Sequence, residues 1–346
     1  MTVPRPAPAA RGTWWCALAL AVSALAVPSC GGGTAWIGSN ACGPTDTDPA
    51  NCGACGHDCL GAACSGGVCA PETIAAGTGR FFALGTDGSN VYWSNFDADG
   101  GSLWKVTPGG GAATELTTGI TEVFGLAAAG GHVLFSTFTK RIVGDVGAGG
   151  GAPTTLAPES GPAQCTAFDG TYFYWGLDGR AGGPVVERVP VAGGAVSTVA
   201  TGGQANVLAV DGADLFYTDY PDGLIVHVPA AGGAPRVLAQ GQALPWGIAV
   251  DATYVYWANY GDGNVMRVLR AGGAAEVLAG GQTKVNSLAK DDASLYFTLE
   301  SGDVMKLPLG HAPYPVALAQ TGRNVLILGP YLYWTNATGS LIRVAK

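Results

Sequence analysis

Residues Gly247–Gly280 read GIAVDATYVYWANYGDGNVMRVLRAGGAAEVLAG. Four short runs in this stretch have strand composition: GIAV, YVYWAN, NVMRVL and AEVLA. Each is rich in β-branched or aromatic residues and too short for a helix. Turn formers separate them: Asp251-Ala252, Gly261-Asp262-Gly263 and Gly272-Gly273. The stretch therefore predicts a small antiparallel sheet of four strands joined by tight hairpins.

The same pattern recurs along the chain. The hallmark aromatic of the second strand falls at Trp93, Phe135, Trp175, Tyr217, Trp257, Phe297 and Trp334, every 37–42 residues. The third strand occurs seven times, as LWKV, VGDV, VERV, IVHV, VMRV, VMKL and LIRV. Its polar position holds Lys105, Asp145, Arg188, His227, Arg267, Lys306 and Arg343. Such alternation predicts a strand with one solvated face. A fixed period of about 40 residues with four strands per copy is the pattern of a propeller blade.

The two chain ends complete one copy between them. The last copy stops at Lys346, after its third strand, while Glu72-Thr73-Ile74-Ala75-Ala76 stands alone before the first full copy. Pairing them makes a seventh sheet and leaves no free edge. The expected fold is all-β: a seven-bladed β-propeller over residues 71–346, with the N-terminal strand closing the last blade.

Tyr92-Trp93-Ser94-Asn95, Tyr256-Trp257-Ala258-Asn259 and Tyr333-Trp334-Thr335-Asn336 resemble the YWTD-type propellers of lipoprotein receptors and TolB-like bacterial propellers. The resemblance covers residues 71–346 and implies the fold. Only Phe216-Tyr217-Thr218-Asp219 keeps the terminal aspartate, and the count is seven blades where those receptors have six. Receptor function is not carried over.

Of the 346 residues, 48% are hydrophobic and 12% charged, and the net charge is −8. With no basic excess to neutralise phosphates, nucleic acid is excluded as a partner. The chain starts with features of an exported protein. Arg5 and Arg11 precede an apolar run, Trp14–Val27, too short to span a bilayer comfortably. The run ends in Val27-Pro28-Ser29-Cys30, which resembles a bacterial lipobox and implies lipidation of Cys30. The expected organisation is a signal peptide over 1–29, a lipidated tether over 30–41 and a cysteine-rich module over 42–70. Contact with a membrane is expected only through the lipid, with the protein at the outer membrane or cell surface, or otherwise periplasmic or secreted.

The module holds Cys42, Cys52, Cys55, Cys59, Cys64 and Cys69. So short a segment cannot build a core, and an exported one is expected to be held by disulfides, three from fifteen possible pairings. Cys52, Cys55 and His57 also have zinc-like spacing, but the even count and oxidising compartment favour disulfides. The segment resembles cysteine-rich modules of secreted and lipoprotein sequences of myxobacteria, which implies a compartment and no activity.

In a propeller, the loops entering the first strands and those joining second to third strands share one face. Aligned on the hallmark aromatic, the residues entering the first strands are Phe82, Phe124, Gln164, Asn206, Trp246, Asn286 and Asn324. Arg80, Glu122, Gln204 and Lys284 stand two positions earlier in their copies. Aromatics and amides ringing one concavity suit a protein, peptide or glycan ligand. The chain is expected to be a monomeric binding module with no cofactor, the alternative being a lyase or hydrolase.

Some seven-bladed propellers are enzymes. Streptogramin lyases resemble this chain in fold and rely on a histidine and a metal. Here His132, His227 and His311 are expected away from the mouth, so acid–base chemistry lacks its usual group. Asn95–Gly100 has the alternating oxygens of a calcium loop, but Val106 stands where the glutamate is required. Cys165 is expected to be a buried structural thiol.

Overall fold

The computed structural model describes residues 44–346 except Thr78, Ala98, Asp99, Glu159, Gln164, Thr321 and Ala337. The signal peptide, the tether, Cys30 and Cys42 lie outside the described residues.

Seven antiparallel sheets of four strands form a seven-bladed propeller. Blade 5 contains Pro245–Val250, Tyr254–Asn259, Val265–Leu269 and Glu276–Ala279, in that order from the channel outward. Each innermost strand neighbours the next around the ring, and that of blade 7 (Gly322–Leu328) returns to that of blade 1 (Arg80–Thr86). Glu72–Ala76 pairs with Ser340–Ala345 as the outer strand of blade 7. Glu72 faces Arg343 and Ala76 faces Ser340, so the closing strand starts on the face opposite the loops that join second to third strands.

Packing between blades explains the repeat. The hallmark aromatics are buried, from 0% exposed for Trp175, Trp257, Phe297 and Trp334 to 3% for Tyr217. Burying one such ring contributes roughly 3 kcal/mol. The register between third and fourth strands slips in every blade, as at Val265/Met266 and Val304/Met305, and twice in blade 3. A bulge adds local twist, and repeating it in each sheet gives every blade the same propeller twist.

The polar position of the third strand departs from expectation. All seven residues are half-buried rather than solvated. Several reach the next blade: Lys105 Nζ donates to Ala148 O (2.5 Å) and Arg188 donates to Ala230 O (2.8 Å). Arg343 in turn donates to Pro108 O. Their alkyl stems cover apolar surface while the charged ends find carbonyls.

The module is cross-linked by Cys52–Cys64 and Cys59–Cys69. Cys55 is also disulfide-bonded. Cys52, Cys59 and Cys69 lie close enough for a metal site, but all three sulfurs are oxidised in these two bridges. They pack with Tyr296, Val316, Leu332 and Val344, so the module rests on blades 6 and 7.

Candidate functional site at the channel mouth

The residues entering the first strands are placed by bulges. Register shifts between first and second strands fall at Phe81/Leu84, Val123/Gly125, Pro245/Ile248, Val285/Ser287 and Gly322/Val325. Phe82, Phe124, Trp246, Asn286 and Asn324 are residues inside these shifts. A bulged residue leaves the ladder and its side chain can be re-aimed. In blades 3 and 4 the first strand begins later, at Cys165 and Val207. Asn206 immediately precedes its strand, and Gln164 lies outside the described residues.

The structure brings some of these side chains together. The rings of Phe82 and Phe124 lie 5.5 Å apart, and Phe138 lies 5.3 Å beyond Phe124. Asn324 Nδ2 donates to Phe82 O across the closure between blades 7 and 1. This side of the mouth is an aromatic arc, with Phe124 43% and Phe138 41% exposed. Across the ring, Trp246 is 38% exposed and meets Tyr220 edge-on at 5.2 Å. Asn286 is half-buried, and Arg80 is exposed.

Asn206 is buried and serves the backbone. Its Oδ1 accepts from the Tyr220 amide (2.9 Å). In blades 2, 5 and 6 the corresponding amides of Phe138, Tyr260 and Glu300 donate to the carbonyls of Glu122, Leu244 and Lys284, each at 3.0 Å. Those three residues have φ of 54°, 56° and 30°. A left-handed backbone is costly for residues with side chains, and such positions recur at ligand sites. Gln204 is buried; its amide donates to Asp219 Oδ2 (3.0 Å). Burial pushes the Asp219 carboxyl above its ordinary value although two amides bind it.

Charge at the mouth is local. Lys284 pairs with Glu300 at 2.8 Å and lies over the Tyr260 ring at 5.2 Å. Their hydrogen bond raises the Lys284 ammonium and lowers the Glu300 carboxyl. Glu122 accepts from Thr139 Oγ1.

Reasoning from the sequence missed a second ring. The residue three places after each hallmark aromatic is Phe96, Phe138, Tyr220 or Tyr260 in blades 1, 2, 4 and 5. The same alignment carries this signal. The histidines sit elsewhere: His132 pairs with Asp145 (2.7 Å) and His227 with Asp214 (2.6 Å), both at second and third strands. His311 is exposed in a loop joining third to fourth strands. Cys165 is a buried free thiol. The calcium-like hairpin includes Ala98 and Asp99, outside the described residues.

No protein-family model and no curated protein matches the chain. Among solved structures, a streptogramin B lyase aligns with a TM-score of 0.66 at 12% identity, covering 80% of this chain and 97% of the other. Virginiamycin B lyase from Staphylococcus aureus aligns at 0.66 and 13% identity, over 80% and 98% of the two chains. The WD40 propeller domain of Doa1 aligns at 0.65 and 14% identity, over 80% and 97%. Enzymes and a WD40 domain align equally well at such low identity, so the likeness is one of fold.

Proposed function

We propose that this protein is an exported binding module, tethered to a membrane through lipidated Cys30, that grips a protein or peptide at the channel mouth. One observation carries the reading. Five of the eleven large exposed apolar side chains among the described residues stand together at the mouth: Phe96, Phe124, Phe138, Leu244 and Trp246 are each 36–43% exposed. Phe124, Leu244 and Trp246 stand at the entry to first strands, and Phe96 and Phe138 at the exit from second strands. Exposed apolar groups concentrated on one face of a folded chain mark an interaction surface, and aromatics are the commonest anchors there.

The bulges and the left-handed Glu122, Leu244 and Lys284 support the same reading, because they hold the anchors on rigid sheet ends. The Lys284–Glu300 pair adds a polar rim. The partner's matching feature would be an apolar segment, and a glycan is the weaker fit to three adjacent phenyl rings. The closing strand begins on the opposite face, which supports a tether leaving from behind and a mouth turned outward.

The test is selection from a random-peptide display library on the purified chain. Selected peptides should bind the Phe124→Ala/Trp246→Ala double variant at least about a hundredfold more weakly, as expected for two anchors, with the melting temperature unchanged. Peptides that bind the double variant as well as the parent would refute a ligand at the mouth.

A further inference from the structure

A cleft of about 430 Å³ lies at the seam where the chain ends close the ring. Its walls come from Ala76 and Gly77, at the end of the closing strand, and from all four strands of blade 1. We propose that this seam cleft binds a neutral sugar ring, at a site separate from the mouth.

The first ground is a buried donor with nothing to donate to. Trp93 lines the cleft, is 2% exposed, and its Nε1 has no hydrogen-bond partner. Hallmark tryptophans in two other blades are satisfied internally. Trp175 Nε1 donates to Glu187 Oε2 (3.1 Å), and Trp257 Nε1 donates to Gln242 Oε1 (3.0 Å). In blade 1 the position of Glu187 is held by Trp104, whose own Nε1 turns to Ser102 Oγ (2.8 Å). Blade 1 has thus exchanged an internal acceptor for a second indole, and the Trp93 N–H is left for an acceptor from outside. Leaving a buried donor unmade is costly, and an oxygen supplied by a ligand removes that cost. Trp334 Nε1 is also unpartnered, but its ring lies in the core of blades 6 and 7 beneath the cysteine module.

The second ground is the chemistry of the walls. Trp104 is half-buried and near-parallel to Trp93, with centroids 6.4 Å apart and planes at 17°. Phe81 lies 5.5 Å from Trp93 on another side. The exposed side chains of Glu115 and Thr118 also line the cleft, with Asn95 and Ser102. Indole faces suit the C–H face of a sugar, Trp93 N–H suits a hydroxyl oxygen, and the Glu115 carboxylate suits a hydroxyl proton. No Lys, Arg or His is found among the described lining residues, and Glu115 opposes an anion. The volume is in the range of small-ligand sites.

The test uses the full folded chain. Methyl glycosides of glucose, galactose, mannose and N-acetylglucosamine, with cellobiose, maltose and lactose, are screened by saturation-transfer NMR and measured by calorimetry. At least one should bind. Trp93→Phe keeps the ring and removes the N–H, and should weaken binding about tenfold, the worth of one hydrogen bond. Trp104→Ala should abolish it, and Glu115→Gln should weaken it severalfold. Phe124→Ala/Trp246→Ala should leave it within about twofold, which separates this site from the mouth. Circular dichroism checks that each variant is folded, and Trp93→Phe with Glu115→Gln decides the matter if Trp104→Ala is not.

Three results overturn the proposal. One is that no saccharide binds more tightly than about 10 mM. Another is that binding ignores Trp93→Phe and Glu115→Gln, or is lost in the mouth variant. The last is that N-acetyltryptophanamide or p-cresol binds at the seam while sugars do not, which would make the cleft a seat for a protein side chain.

Discussion

At the residue scale, Cys165 shows how one blade solves a shared problem differently. The residue after the hallmark aromatic carries a hydroxyl in five blades: Ser94, Ser136, Thr218, Thr298 and Thr335. Ser94 Oγ donates to Val123 O (3.2 Å) and Thr218 Oγ1 to Trp246 O (3.1 Å), each in the next blade. Blade 3 has Gly176 there, and Cys165 Sγ instead donates to Ala205 O (3.5 Å). A Cβ on Gly176 would come 2.5 Å from Cys165 Sγ and 2.7 Å from Ala205 O. Gly176→Ala should therefore destabilise by about 2–3 kcal/mol through overpacking. Cys165→Gly/Gly176→Ala should recover the part of that loss that comes from the contact with Sγ, while the approach to Ala205 O remains. Urea denaturation of the two single variants and the double measures this, and purely additive losses would contradict it. Burial pushes the Cys165 thiol well up, so it should resist alkylation until the protein unfolds.

At the element scale, the hairpin between first and second strands carries a cap that the sequence displayed only as a turn. Asp251 Oδ1 accepts from the amides of Thr253 (2.9 Å) and Tyr254 (2.8 Å), and Oδ2 accepts from Tyr256 OH (2.8 Å). Asp87 with Tyr92, Asp169 with Tyr174 and Asp291 with Tyr296 repeat it. Lys290 of blade 6 adds an ion pair to Asp251 at 3.0 Å, and Lys346 of blade 7 pairs with Asp291 at 2.6 Å. Desolvation alone would raise Asp251, but the two amides, Lys290 and Tyr256 together hold its carboxyl down at about 2. The charged form is thus favoured in the fold. Its stabilisation is present above the ordinary carboxylate value near 4 and is lost as pH falls towards 2. Tyr174 runs the other way: desolvation and the Asp169 contact push its hydroxyl up to about 12. Its contribution is present below the ordinary value near 10 and is lost as pH rises towards 12. The melting temperature should therefore form a plateau between these limits. Tyr256→Phe should lower stability by about 1 kcal/mol and remove part of the acid-side fall. A variant with an unchanged acid limb would show that the cap does not couple to folding.

At the scale of the whole molecule, stability depends on closing the ring. Ile74 of the closing strand is 8% exposed and packs with Phe81, Trp93, Tyr333 and Leu341 from blades 1 and 7. Ile74→Asp would bury a charge at the seam where the two ends of the propeller meet. It should destabilise by several kcal/mol, against about 0.5 kcal/mol for a surface change such as Glu115→Gln. Thermal melts compare the two, and equal losses would contradict a special role for the seam. The module should open independently of the ring. Its loops span 12 and 10 residues, and bridges of that size contribute roughly 3 kcal/mol each. Under a reducing agent, protease should cut first within 44–70 while the blades stay resistant. Simultaneous cleavage in the blades would mean that the module holds the ring shut.

The number of blades, the closing strand and the direction in which it starts were all legible before any coordinates. They follow from a period, and a period needs only local strand and turn chemistry. The ring of residues entering the first strands was legible as positions, from Phe82 to Asn324. Which of them reach solvent was not. Bulges turn Phe124 and Trp246 outward, while Asn206 spends its carbonyl on the Tyr220 amide, and such choices depend on how the neighbouring turn meets its hydrogen bonds. The third-strand residues looked solvated because alternation reports one sheet. Only the assembled ring supplies the next blade's carbonyls, and it draws Lys105, Arg188 and Arg343 half inside. The seam cleft belongs to the same class. Its lining runs only from Ala76 to Gly119, but Ala76 and Gly77 are set in place by pairing of the closing strand with blade 7, and its unpaired indole shows only when blade 1 is set beside blades 3 and 5. Repetition along the chain thus determined the architecture, and contacts between blades decided which side chains are left free to bind.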